Sequence, residues 1–246
     1  MKLTTISTKS PKELDKEKTQ KETEALILQM SEYQQVLYAQ QKYSLLIVFQ
    51  GMDTSGKDNV IKKVFSEMNP LGCWAVGFKA PTEEELAHDF LWRVHKHTPA
   101  KGKIMLFDRS HYEDVLVPRV EGWIDKDAIK RRYDYINSFE KLLQDNGTII
   151  LKFYLHISKE KQQERLEERK TNPKKMWKND PNDLKVAKKW DSYMEAYEAI
   201  FEHCSADIPW TIIPSDHRWY KDYLVAKETC NALSKLKLSY PTGYVG

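Results

Sequence analysis

The residues Gly51-Met52-Asp53-Thr54-Ser55-Gly56-Lys57-Asp58 follow directly on the apolar run Leu45-Leu46-Ile47-Val48-Phe49. A G-x-x-x-x-G-K loop between a strand and a helix can aim successive backbone N–H groups, a helix N-terminus and one ammonium at a chain of phosphates. Lys57 is expected to bridge phosphate oxygens as a point charge, because a lysine just past a loop glycine adds little to a core. Two residues depart from the usual form. Asp58 stands where a Ser or Thr hydroxyl would meet Mg²⁺, and a second carboxylate, Asp53, lies inside the loop. An Asp in a first helical turn is favoured by the helix dipole alone, so Asp58 joins the expected binding set by its place in the loop, without an assigned role.

A second group of candidates follows the apolar run Lys103–Phe107. Asp108 is placed as the acidic strand-end residue of nucleoside-triphosphate sites is, and with Asp53 it offers two hard oxygen donors for Mg²⁺. Arg109 and Arg119 flank His111-Tyr112-Glu113-Asp114 and suit bidentate capture of phosphate oxygens. A surface ion pair to Glu113 or Asp114 is the competing reading, more so for Arg119. His111 reads as a hydrogen-bonding scaffold rather than a proton shuttle. Arg165 and Arg169 stand four apart on one helix face, ahead of an irregular basic segment with Lys170, Lys174, Lys175 and Lys178. That arrangement reads as a lid that closes cations over a substrate and excludes water.

These residues need elements to position them. A stripe of Leu26, Met30, Tyr33 and Leu37 predicts a helix over about 12–41, packed within the chain or on a partner subunit. Strands are predicted at Ser44–Gln50, Cys73–Phe78, Lys103–Phe107, Thr148–Ile157 and Trp210–Pro214. Between them fall a helix from Gly56 to about Met68, and one opened by a capping box at Thr82 with the face Leu86, Phe90 and Val94. Asp125 opens another, with apolar positions Ile129, Tyr133, Ile136, Phe139 and Leu143, and Ser158 caps a charged one to about Lys170. Residues 171–183 break all periodicity. A helix with Trp190, Met194, Tyr197 and Phe201 on one face runs on to about Glu202, and Asp216 caps a last one to about Leu238. Residues 1–11 and the tail from Ser239 are expected to be loose. Strands alternating with helices predict an α/β fold with a mainly parallel five-stranded sheet, and ligands gather beyond the carboxyl ends of such strands. The glycine loop, Lys79 and Asp108-Arg109 all fall there.

The totals narrow the functional classes. The chain has 246 residues, 41% of them hydrophobic and 30% charged, and a formal net charge of +3, which fits a globular domain and argues against a nucleic-acid partner. Cys73, Cys204 and Cys230 form no CxxC pair, so neither a disulfide framework nor a zinc site is indicated. There is no signal-peptide pattern and no apolar stretch approaching the roughly 20 residues of a membrane span. A cytoplasmic protein without a membrane partner is expected.

With these pieces placed, the chain resembles the polyphosphate kinase 2 family. The resemblance rests on Gly51–Asp58, on Phe107-Asp108-Arg109-Ser110-His111-Tyr112-Glu113-Asp114, and on Arg165–Trp190 with Met176-Trp177-Lys178, and it runs from about residue 12 to residue 238. The aspartates inside the loop and after Lys57 are the family's own pattern. The resemblance implies one three-layer, thymidylate-kinase-like P-loop kinase domain over 1–246, with its core at about 44–238 and a helical lid at about 165–190. It also implies Mg²⁺-dependent (or Mn²⁺-dependent), reversible phosphoryl transfer between inorganic polyphosphate and nucleotides such as AMP, ADP and ATP. Asp53, Lys57, Asp108 and Arg109 match the family's essential residues, and Arg169 matches a lid arginine. Lys79 falls where a basic residue contacts substrate. The His-Tyr-Glu-Asp-Val-Leu-Val form resembles the subgroup acting on both mono- and diphosphates, and the family implies a homo-dimer or tetramer. Two rivals stand beside this reading: an ATP-dependent nucleotide kinase, which would more naturally carry Ser or Thr at position 58, and a non-catalytic P-loop switch.

Overall fold

Why the phosphate-loop residues can converge is clear from the strand that carries them. In the computed structural model, which describes residues 2–178 and 180–243, the first strand, β1 (Ser44–Gln50), is buried at every position. It is preceded by α1 (Lys16–Gln40) and followed by α2 (Lys57–Val64), β2 (Cys73–Gly77), α3 (Glu83–Leu86) and α4 (Trp92–His95). Then come β3 (Ile104–Asp108), α5 (Glu113–Glu121), α6 (Lys126–Asp145), β4 (Thr148–His156), α7 (Lys159–Thr171), α8 (Pro181–Lys188), α9 (Trp190–His203), β5 (Trp210–Pro214) and α10 (Arg218–Ser234). All four strand pairings are parallel, in the order β2-β3-β1-β4-β5.

Alternation along β1 sends Leu46 and Val48 to one face and Leu45, Ile47 and Phe49 to the other. The first face packs on Val115 and Leu116 of α5, Ile136 and Phe139 of α6, and Tyr197 and Ile200 of α9. The second packs on Met30 and Leu37 of α1, Val60 and Val64 of α2, and Val225 and Leu233 of α10. A sheet covered on both faces needs continuous apolar strands, as β1 has. In register, Phe49 lies beside Asp108, which sets the end of β3 next to the start of the glycine loop.

Several local expectations are corrected. The buried side of α1 is Ile27, Met30, Gln34 and Leu37, with Leu26 and Tyr33 only half-buried; Gln34 keeps its place by bonding the Asn69 backbone at 2.9 Å in both directions. The helix opened by Thr82 is two short ones, because the Asp89 carboxylate accepts from Leu91 N and Trp92 N and starts a new turn. Leu86 is therefore exposed while Val94 is buried. Pro181 does not break structure: it sits at the first position of α8, where its fixed φ suits a helix start. Asp216 caps no helix; its two oxygens accept from Ser158 N at 2.9 Å and Thr8 Oγ1 at 2.8 Å. The N-terminal segment is held as well, with Leu3 buried and its N–H on Glu198. Of the tail, residues 244–246 lie outside the described part. Among the described residues no helix is long and apolar enough to cross a membrane, and the three cysteines are free.

Beneath the start of α5 lies a buried polar cluster. Lys152 interrupts the apolar run of β4 and donates to Glu140 Oε2 at 2.7 Å, the Tyr112 hydroxyl at 2.9 Å and Cys204 O at 2.7 Å. Glu140 also accepts from Tyr112 at 2.8 Å and lies 3.2 Å from His111 Nε2. Burial works against the Glu140 carboxylate, but the His111 hydrogen bond and the Lys152 charge outweigh it and hold its pKa below the ordinary value. The cluster fixes His111-Tyr112, and through them the turn that carries Asp108 and Arg109. Replacing Lys152 by Met leaves Glu140 buried without its main counter-charge. Urea denaturation of Lys152→Met is expected to show a loss of about 3–5 kcal/mol.

Candidate active site

The loop after β1 is built from conformations that few residues adopt. Gly51 has φ 148°, and a Cβ there would meet Leu155 O at 2.8 Å; Gly56 has φ 98°. Thr54 at φ 65° and Arg109 at φ 62° are left-handed without being glycine. Such strain, about 1–3 kcal/mol each, persists where surrounding contacts over-determine it. Arg109 is held by its N–H on Phe49 O at 3.0 Å and by an ion pair from Nη2 to Asp53 Oδ1 at 2.7 Å.

Lys57 is buried, and its ammonium curls back inside the loop to Gly51 O at 2.7 Å and Met52 O at 3.4 Å. Burial raises the Asp53 carboxyl, but the charges of Lys57 and Arg109 outweigh it and leave its pKa below the usual range. Arg109 in turn is strengthened as a cation by Glu113 and Asp53 against the effect of burial. The hydroxyls of Thr54 and Ser55 are buried and have no hydrogen-bond partner among the described residues.

Asp108 is pushed up to about 6, first by burial and then by its hydrogen bond to Asp58 and that residue's charge, against the pull of Lys57. Asp58 is held low by the hydrogen bond from Asp108 and by Lys178, whose Nζ reaches Asp58 Oδ2 at 2.6 Å. Asp58, without a role in the sequence reading, thus joins the strand-end carboxyl to Lys178 in the basic segment after α7. Among the described residues no three His, Cys, Asp or Glu side chains gather as a metal cage. A Mg²⁺ ion that takes one or two carboxylates and fills its shell with phosphate oxygens and water needs none; of the two carboxylates expected to hold it, Asp53 is paired with Arg109 and Asp108 is hydrogen-bonded to Asp58.

The remaining candidates divide. Arg169 lies over the loop's acidic side: it ion-pairs with Asp183, donates to Lys178 O at 3.3 Å, and its charge reaches Asp53. Arg165 is not a lid residue; it is buried under the loop, donating to Thr54 O at 2.8 Å. Lys170 turns to Glu167 at 2.8 Å on the surface of α7, and Arg119 donates to the Tyr133 hydroxyl at 3.2 Å rather than facing the loop. Lys79 is exposed at the end of β2, its carbonyl accepting from Arg93 Nη1 at 2.8 Å. Arg93, overlooked in the sequence, is buried and also pairs with Asp114 at 3.0 Å, so it ties the Lys79 segment to α5.

The chain as a whole has relatives among known proteins. A profile of the family described as Polyphosphate kinase 2 (PPK2) matches residues 13–240. The chain belongs to the polyphosphate kinase 2 family. It is 46% identical over 213 residues to the AMP/ADP-polyphosphate phosphotransferase of Meiothermus ruber, covering 86% of this chain and 80% of that protein. It is 40% identical over 225 residues to the ADP-polyphosphate phosphotransferase of Rhodopseudomonas palustris, covering 86% of this chain and 78% of that one. The crystal structure of a polyphosphate kinase 2 from Arthrobacter aurescens TC1 superposes with a TM-score of 0.96 at 39% identity, over 100% of this chain and 89% of the other. The fold of the family, a P-loop kinase, is the fold of this chain.

The Asp108 shift has a thermodynamic consequence. Below its ordinary value of 3.8 the carboxyl is protonated in both folded and unfolded chains, and it contributes nothing. As pH rises through the window from about 4 to about 6 the unfolded chain loses the proton first, so stability falls and stays lower above it. Asp108→Asn removes that cost and keeps a donor for Asp58. Melting curves in chelator are expected to coincide with wild type near pH 4 and to lie a few degrees higher for the variant at pH 7.

Proposed function

We propose that this chain transfers phosphoryl groups reversibly between inorganic polyphosphate and nucleoside mono- or diphosphates, taking AMP to ADP and ADP to ATP. The observation that carries the proposal is the buried Lys57 ammonium curled inside the loop beside the Asp53–Arg109 pair. Membership of the family supports the reaction class, and the similarity to the AMP/ADP-polyphosphate phosphotransferase of Meiothermus ruber supports both acceptors.

Polyphosphate lies in the cationic groove formed by Lys57, Arg109 and the lid. A terminal phosphate oxygen of AMP or ADP attacks the end phosphoryl group in line, and its bond to the bridging oxygen breaks, so the polyphosphate leaves one unit shorter with that oxygen as an anionic terminal phosphate oxygen. The acceptor is already anionic, so no strong general base is required. Lys57 and Arg109 neutralise charge on the transferring oxygens, and the N–H groups of the loop hold the chain in place. Asp53 and Asp108 are the residues that would hold Mg²⁺, or Mn²⁺ in its place; when bound, the ion supplies further charge neutralisation at phosphate oxygens. Arg169, through Asp183 and Lys178, carries lid closure to the loop, and Lys79 contributes a substrate contact from the end of β2. Self-association into a homo-dimer or tetramer belongs to the same proposal, supported by the exposed Leu71 and Trp74 at the open β2 edge. The compartment proposed is the cytoplasm, with no nucleic-acid or membrane partner.

Incubating the protein with AMP or ADP, Mg²⁺ and polyphosphate, without ATP, tests this. Formation of ADP and ATP is expected. Transfer only from added ATP would instead make the chain an ordinary nucleotide kinase, and no transfer would favour a binding switch. Lys57→Ala is expected to lower kcat/KM by about 10²–10³ with an unchanged circular-dichroism spectrum.

A further inference from the structure

A loop that presents N–H groups to phosphate has to send its carbonyl oxygens elsewhere, and here each destination is identifiable. Gly51 O and Met52 O accept from Lys57 itself. Asp53 O accepts from Gln162 Nε2 at 3.2 Å, Thr54 O and Ser55 O from Arg165 Nη1 at 2.8 and 3.4 Å, and Gly56 O from Lys221 Nζ at 2.9 Å. Six successive carbonyls are thus each taken by a side-chain donor. Three of those donors come from outside the loop: Gln162 and Arg165 on α7, and Lys221 on α10.

All three are buried, Lys221 completely. Arg165 also spans to a second element, its Nη2 donating to Ser215 O at 3.0 Å and Asp216 O at 2.9 Å after β5. Lys221 packs so closely under the loop that a Cβ on Gly56 would meet its Nζ at 2.8 Å. Asp222 lies 3.4 Å from the same ammonium. A lysine and an arginine buried against backbone carbonyls are costly unless the arrangement they hold is needed. The N–H groups of Lys57 and Asp58, in the first turn of α2, lack intrahelical acceptors by their position, and a peptide flip would replace such a donor with a repelling carbonyl.

We propose that Gln162, Arg165 and Lys221 are positioning residues for phosphoryl transfer, which hold the carbonyls of Asp53, Thr54, Ser55 and Gly56 away from the phosphate side of the loop. Arg165 and Lys221 also place two positive charges behind the loop, which favour an anion without touching it. The inference rests on Gly51–Lys57 being the phosphate loop. It goes beyond the residues that would touch substrate: Arg165 belongs to the floor of the site, and Lys221 comes from the last helix of the chain.

Titration calorimetry of the full-length protein with inorganic tripolyphosphate tests it, because affinity and binding stoichiometry are read separately. A fold defect lowers the fraction of molecules that bind; a mispositioned loop weakens binding in every molecule. Lys221→Met and Arg165→Lys are each expected to weaken tripolyphosphate by about tenfold or more at unchanged stoichiometry. Arg165→Met is expected to weaken it further, since Lys keeps the charge but cannot span both pairs of carbonyls. Gln162→Ala gives the mildest effect. Folded variants that bind within about twofold of wild type would overturn the proposal, as would a loss seen in stoichiometry alone. Wild-type binding that does not depend on Lys57 would instead overturn the phosphate-loop reading on which it rests.

Discussion

Backbone groups come in pairs of opposite polarity, so a segment that offers several N–H groups to a polyanion must find donor partners for as many carbonyls turned the other way. In water these would be solvated. Under a loop that packs against α7 and α10 they are met by buried donors, and much of the chain's architecture follows from supplying them. The parallel sheet brings the ends of β4 and β5 beside the loop, so that Gln162 and Arg165 enter just after β4, and Ser215, Asp216 and Lys221 just after β5. The core layer formed by α1, α2 and α10 then seals Lys221 away from solvent.

The same economy of contacts explains where strain collects. Thr54 and Arg109 are both left-handed and lie on either side of the Asp53–Arg109 ion pair. The ion pair holds two unfavourable backbone conformations together, and the cluster of Tyr112, Glu140 and Lys152 anchors the segment after Arg109 from below. The chemistry of the site, with carboxylates and cations placed before any substrate arrives, is a preorganised field of the kind that phosphoryl transfer requires. Asp58 fits this view: it faces Asp108 on one side and Lys178 on the other, so the residue that replaces the usual hydroxyl couples the strand end, the loop and the basic segment after α7.

Legibility in the sequence followed physical locality. β1, the glycine loop, the strand-end Asp108 and the caps at Thr82, Asp125 and Ser158 are set by neighbours a few residues away, and they stand in the structure as read. Helix α5 was hidden by Pro118 inside it. The helix starts at Trp92 and Pro181 were hidden because an Asp that accepts from the N–H groups after it and a proline at a first helical position look like breakers when the partner N–H groups are not known. The anchors were least legible. Gln162, Arg165 and Lys221 act on residues more than 100 positions away, and on a charged helix such as α7 their periodicity resembles a solvated face. Lys152 did carry a signal, as one charge inside an apolar strand, and a buried cation there calls for a buried anion.

Side chains of α7 and α10 hold the carbonyls of Asp53 to Gly56 away from the phosphate side of the loop. A crystal structure of the protein with tripolyphosphate bound tests it most directly. The account predicts phosphate oxygens within hydrogen-bonding distance of Lys57 Nζ and of the N–H groups at the start of α2, with Arg165 and Lys221 still on the carbonyls of Thr54 and Gly56. A bound phosphate chain facing any of the carbonyls from Asp53 to Gly56, or a loop that binds it after leaving Arg165 and Lys221, would contradict it.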